Sequence, residues 1–177
     1  MGRIPGRRIA STALVLVAAS GIGVRGDEPR PSQRDTPFQP GEIAFSASVS
    51  PARARPGDIV TYRVTAKLEE PWHVYAYARE QPEGPGPLRT QFDFFDRSGL
   101  EPVGDWTASK EPDAKYEHQG EVTWSLRLKV ADDAKPGRRS LRAQASYMIC
   151  DPSRCKAPAR STLPATGLEV LAAGVGK

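Results

Sequence analysis

The sequence predicts an all-β fold, a β-sandwich. Three observations predict it. Apolar and polar residues alternate with period two in several short runs, Pro/Gly turn signals separate those runs, and no segment carries a helical period of useful length. Seven or more such strands, in about 130 residues that remain once the N-terminal segments are set aside, suit one sandwich domain.

The first 26 of the 177 residues stand apart from that pattern. Arg3, Arg7 and Arg8 make a basic start, residues 9–24 form an apolar run of 16 rich in small side chains, and Val24-Arg25-Gly26 offers a cleavage position. This reads as a signal peptide, residues 1–26, and places the chain in the periplasm or outside the cell. The run is short for a membrane helix; an uncleaved N-terminal anchor is the alternative. Residues 27–40 are rich in Pro, Gln, Ser and charge, the composition of a flexible linker. The domain then occupies residues 41–172, with 173–177 as a tail.

Within the domain, Ile43 to Val49 alternates and stops at Ser50-Pro51. Pro56-Gly57-Asp58 turns the chain into Val60, Tyr62, Val64, Ala66 and Leu68, with polar residues between them, a half-buried strand. Pro71 starts Trp72-His73-Val74-Tyr75-Ala76-Tyr77, a Gly/Pro loop covers residues 81–87, and Thr90 to Asp96 forms a further strand around Phe92, Phe94 and Phe95. Residues 106–120 show no clear period. Val122, Trp124, Leu126, Leu128 and Val130 then give the strongest strand of all, with Trp124 expected in the core. Lys135-Pro136-Gly137 turns into a strand beginning at Leu141, and residues 166–171 close a sheet.

Charge excludes one class of function. The whole chain has 25 Lys and Arg against 21 Asp and Glu, a formal net charge of +4. Four of the basic residues (Arg3, Arg7, Arg8, Arg25) and none of the acidic ones lie in the predicted leader, so the remainder is neutral. Neither a basic excess nor an aromatic-basic cluster supports nucleic-acid binding. Arg53, Arg55 and Arg138-Arg139 read as solvated turn and edge residues.

The chemistry concentrates at the end of the strand from Leu141. Its apolar parity is Leu141, Ala143, Ala145, Tyr147 and Ile149, so Met148 and Cys150 point away from the main core. Asp151-Pro152-Ser153-Arg154 is a four-residue turn that sets Cys150 opposite Cys155, within reach of a disulfide. These are the two cysteines of the chain. A loop this short gives about 2 kcal/mol in the chain-entropy model, against more than about 4 for sixty residues or more. A bridge needed only for stability gains more by joining distant strands. Arg154 and Lys156 flank Cys155 and favour its thiolate, whereas Asp151 opposes that of Cys150. We therefore read the pair as redox-active, with Cys155 the more reactive thiol. The alternative is a secreted immunoglobulin-like binding module whose Cys150–Cys155 disulfide merely pins a hairpin.

The pattern Tyr147-x-x-Cys150-Asp151-x-x-x-Cys155-x-x-Pro158, closing a β-rich exported domain, resembles the N-terminal periplasmic domain of DsbD-type thiol:disulfide interchange proteins. Trp72-His73-Val74-Tyr75 is similar to that domain's aromatic strand, and residues 113–128 to its acidic stretch and long strand; the resemblance covers roughly residues 41–172. It implies an immunoglobulin-like β-sandwich that passes reducing equivalents through its cysteine pair. Cys155 would form the mixed disulfides and Cys150 would resolve them. It further implies a nearby acid, Asp113, and a shielding aromatic, Tyr75 or Tyr116. The implied partners are periplasmic thioredoxin-like or disulfide isomerase proteins and a membrane-associated reductant, met by a monomer without any dissociable cofactor.

Other chemistry is weaker. His73, His118 and the two cysteines are four possible zinc donors, but Cys-x4-Cys is loose for a zinc knuckle and the histidines are far apart. A soft copper(I) site of Met148, Cys150 and Cys155 would compete with disulfide formation. No metal is therefore expected, and His73 reads as a partly exposed strand residue. Tyr75 and Tyr77 share its parity and either pack beside the hairpin or cover the sandwich edge. Hydrolytic motifs are absent from the sequence.

Overall fold

Strand alternation of this kind organises a computed structural model that describes residue 2 and residues 42–173. The expected linker, and all the expected signal peptide and tail apart from residues 2 and 173, lie outside the described residues. Among the described residues there are twelve β-strands and no helix, and the expected all-β sandwich is what the chain forms.

One sheet carries the strongest alternation. It comprises β1 (Ile43–Ser50), β3 (Ile59–Leu68), β8 (Glu121–Val130) and β6 (Leu100–Ala108), in the order β1-β3-β8-β6, all antiparallel. Pairing Val60 with Leu128, Tyr62 with Leu126 and Val64 with Trp124 puts the apolar parity of both central strands on one face. Those side chains are fully or almost fully buried, Trp124 among them as expected. Burying each large aliphatic contributes about 1.5–3 kcal/mol, which makes this face the main source of stability.

The facing layer is built on β9 (Gly137–Tyr147). Its first half pairs with β12 (Thr166–Val170), and its second half pairs with β5 (Gln91–Asp96) and with β11 (Ala159–Thr162). The two-residue β2 (Arg53–Ala54) runs parallel to the end of β12, where exposed Arg53 meets Glu169 at 2.8 Å. Leu141, Ala143, Ala145 and Tyr147 all face the core, following the predicted parity.

Two features depart from the sequence reading. Residues 100–108 form an edge strand, β6, whose period Pro102, Gly104 and a register shift between Val103 and Thr107 hide. The cysteine strand also does not run through unbroken. It breaks at Met148 and resumes as β10 (Ile149–Cys150), which leaves the β9 layer to join a small third sheet. That sheet has the order β10-β4-β7, with β4 (His73–Tyr75) central and β7 (Glu117–Gln119) on its other side. Gly120, at φ +65°, is the single residue between β7 and β8, and its carbonyl accepts from the Leu68 amide at 2.8 Å. A side chain there would be strained, so this glycine lets the chain pass from the small sheet to the large one.

Candidate redox site

The small sheet has an apolar face and a chemical face. Val74, Ile149 and His118 share the first, and all three are buried. His118 stands edge-on to Trp124 with centroids 5.7 Å apart, and burial pushes its imidazole toward the neutral form. On the opposite parity, Cys150 pairs with His73 and His73 with Gln119, while Tyr75 pairs with Glu117. Cys150, His73, Gln119, Tyr75 and Glu117 all line one open cleft of about 440 Å³, which the cysteine hairpin overhangs.

The hairpin has the expected form. Cys150 and Cys155 are bridge partners across the turn and are joined by a disulfide, with Cα atoms 4.0 Å apart. The Asp151 amide donates to the Arg154 carbonyl at 2.9 Å, and the Lys156 amide to the Ile149 carbonyl at 2.9 Å. Asp151 secures the loop through one oxygen, Oδ1, which accepts from the Ser153 hydroxyl (2.6 Å), the Ser153 amide (2.7 Å) and the Arg154 amide (2.9 Å). The Ser153 hydroxyl and then its amide hold this carboxyl below the usual aspartate range.

The two cysteines are placed unequally. Cys155 is exposed on the hairpin, whereas Cys150 is 1 % exposed. Cys150 does lie outside the main core cluster, yet it is buried within the third sheet, of whose edge strand β10 it is the last residue. Of the pair, Cys155 is therefore the more accessible from solvent.

The surrounding residues sort differently from their sequence neighbourhood. His73, expected to be partly exposed, is only 7 % exposed, because the sheet flanks it on both sides. Its Nε2 lies 3.4 Å from Glu117 Oε1 without hydrogen-bond alignment, and its ring stands edge-on to Tyr75 at 5.5 Å. Burial, followed by the charge of Glu117, raises the Tyr75 hydroxyl above its ordinary range and keeps it neutral. Tyr77 turns elsewhere: its hydroxyl donates to Asp105 at 2.8 Å in a separate cleft with Phe92 and Trp106.

Asp113 does not line the cysteine cleft. Its Oδ1 accepts from the Lys115 amide (2.9 Å) and the Glu117 amide (2.8 Å), shaping the turn that delivers Glu117. Tyr116 sits in that turn at φ +64° and is exposed, with the Arg89 guanidinium 4.2 Å from its ring centroid. Lys156 points away from Cys155. It is ion-paired with Glu42, and its ammonium lies 5.0 Å from the Trp72 ring centroid. Arg154 faces Asp151 at 3.6 Å. The side chains that the residue-level reading missed are Glu117 and Gln119. Glu117-His118-Gln119 is polar throughout, and the burial of its central residue alone shows only in the structure.

The arrangement separates the metal donors considered above. His118 faces the core, and Met148 lines a different cleft beside the residue 81–88 loop. Among the described residues no group of three or more His, Cys, Asp or Glu is placed to hold a metal ion. Among them, too, no helix is long and apolar enough to cross a membrane.

No protein-family model matches the chain, and no curated protein matches it. Among solved structures it is similar to the N-terminal periplasmic domain of ScsB from Proteus mirabilis, with 14 % identity and a TM-score of 0.38. That alignment covers 77 % of this chain and 50 % of the other, so this chain spans about half the length of that structure. AvmM, which catalyses macrocyclization in alchivemycin A biosynthesis, aligns at 9 % identity and a TM-score of 0.37, over 77 % of this chain and 92 % of its own. AggA, the major subunit of aggregative adherence fimbriae type I from Escherichia coli, aligns at 10 % identity and a TM-score of 0.34, over 77 % and 100 %.

Proposed function

We propose that the chain is an exported thiol–disulfide exchange domain that relays reducing equivalents through Cys150–Cys155. The observation that carries this reading is the unequal burial of the two bridged cysteines, Cys155 exposed and Cys150 buried. In exchange, a partner thiolate attacks Cys155 Sγ in line with the S–S bond. That bond breaks with its electron pair on Cys150 Sγ, and a mixed disulfide joins Cys155 to the partner. A second partner thiolate then attacks its own sulfur in the mixed disulfide, leaving the partner oxidised and the domain with two thiols. Run backwards, the Cys150 thiolate attacks Cys155 Sγ and expels a reduced partner.

This chemistry needs no dissociable cofactor, since the electrons travel in the cysteine bonds. The open cleft beside Cys155 suits a small, transient docking surface. The partner classes are a membrane-associated reductant upstream and periplasmic thioredoxin-like or disulfide isomerase proteins downstream, met by a monomer. Trapping tests the reading. A Cys150→Ala variant cannot resolve, so it accumulates a mixed disulfide on Cys155 in a periplasmic extract, and Cys155→Ala does not. If the Cys150→Ala/Cys155→Ala double variant binds the same partner as strongly as the wild type, the chain is a binding module and the bridge a staple.

A further inference from the structure

Resting on the exchange reading, we propose that His73, held against Glu117, is the proton donor and charge partner of Cys150 when the bridge opens. When Cys155 is attacked, negative charge lands on Cys150 Sγ, the buried sulfur. A thiolate taken out of water is costly unless a proton or a cation meets it. The cations around the pair are engaged or exposed. Lys156 is ion-paired with Glu42, Arg154 is exposed and faces Asp151, and Lys115 is exposed on the cleft wall.

His73 is placed to serve. It is the cross-strand partner of Cys150, which puts their Cβ atoms about 4.5–5.5 Å apart on the same side of the sheet. Its ring is buried, and its Nε2 has no hydrogen-bond partner among the described residues. A buried polar atom without a partner calls for a role. Glu117 Oε1 lies 3.4 Å from that nitrogen, with its side chain 12 % exposed, and sets a carboxylate against the ring. Tyr75 packs edge-on against the ring from its own strand, and Asp113 adds a more distant negative charge from the turn before β7. Glu117 is thus a positioning residue and His73 the group that handles the proton.

The step balances. As the partner thiolate bonds to Cys155 Sγ and the S–S bond breaks, the His73 imidazolium passes its proton to Cys150 Sγ. A neutral imidazole and a Cys150 thiol result, and the imidazole regains a proton from water in the open cleft. In the resolving direction, neutral His73 accepts the Cys150 proton, and the thiolate so formed attacks Cys155 Sγ.

The test is single-turnover reduction of the folded, oxidised chain by dithiothreitol across pH 5–9, with rates corrected for dithiothreitol thiolate. In the wild type the corrected rate rises toward low pH, following protonation of one group. His73→Gln lowers the low-pH rate by about 100-fold and flattens the profile. Glu117→Gln, which keeps the side-chain shape but removes the charge 3.4 Å from Nε2, changes the rate or the profile, and this outcome stands even if His73→Gln does not fold. If Glu117→Gln, or a folded His73→Gln, keeps the wild-type rate and profile, the assignment to His73 is overturned while the exchange reading survives. A wild-type disulfide that dithiothreitol does not reduce in the folded chain overturns both.

Discussion

The residue that most directly shapes the hairpin is Asp151, whose single oxygen Oδ1 takes three hydrogen bonds from Ser153 and Arg154. Because its carboxyl is held below the usual range, it supports the loop at neutral pH and releases it only as the pH falls through that lowered value. The Ser153 and Arg154 amide resonances should therefore stay fixed as ordinary aspartates titrate near about pH 3.9 and shift only below that. Amide shifts that follow an ordinary aspartate titration would contradict this arrangement. Removing the carboxylate with Asp151→Ala frees the turn, so at a fixed dithiothreitol ratio the variant should be more reduced than the wild type. Much at this scale was legible, since Asp151, Pro152 and the four-residue spacing specify the hairpin locally. The burial of Cys150 was not legible. It depends on pairing with His73, 77 positions earlier in the chain, after the strand breaks at Met148. Nor was Glu117, because a carboxylate's position across a three-residue strand leaves almost no pattern to read.

At the scale of elements, the central pair β3 and β8 holds the sandwich together and the hairpin does not. Trp124 is fully buried on β8, touching both His118 and Phe92. Trp124→Ala should cost about 3–5 kcal/mol in a denaturant titration. The Cys150→Ala/Cys155→Ala double variant, which opens a loop of only a few residues, should cost about 2 kcal/mol and keep its far-ultraviolet β signature. A loss as large as that of Trp124→Ala would mark the bridge as structural. The long alternating strands were evident in the sequence because one face of each is buried. The short or edge elements were not: β6 is mostly exposed, β2 has two residues, and β11 reads intermediate-exposed without large apolar side chains. What such strands adopt is set by their neighbours rather than by their own residues.

For the whole molecule, the proposed function makes the sandwich the mount of a reactive turn. Both main layers bury their apolar faces together, and the small sheet of β10, β4 and β7 fixes Cys150, His73 and Glu117 over one cleft while leaving Cys155 exposed. The fold class and the bridged pair could be read from periodicity and turn chemistry alone. The third sheet could not, because it assembles three segments of two or three residues from distant parts of the chain. The central claim is that this bridge exchanges electrons rather than merely joining two ends of a turn. The reduction potential of the Cys150–Cys155 pair in the folded chain, measured against a dithiol buffer, tests it most directly. The account predicts a value above about −250 mV, among exchangeable disulfides, and a value below about −300 mV would contradict it and mark a structural bridge.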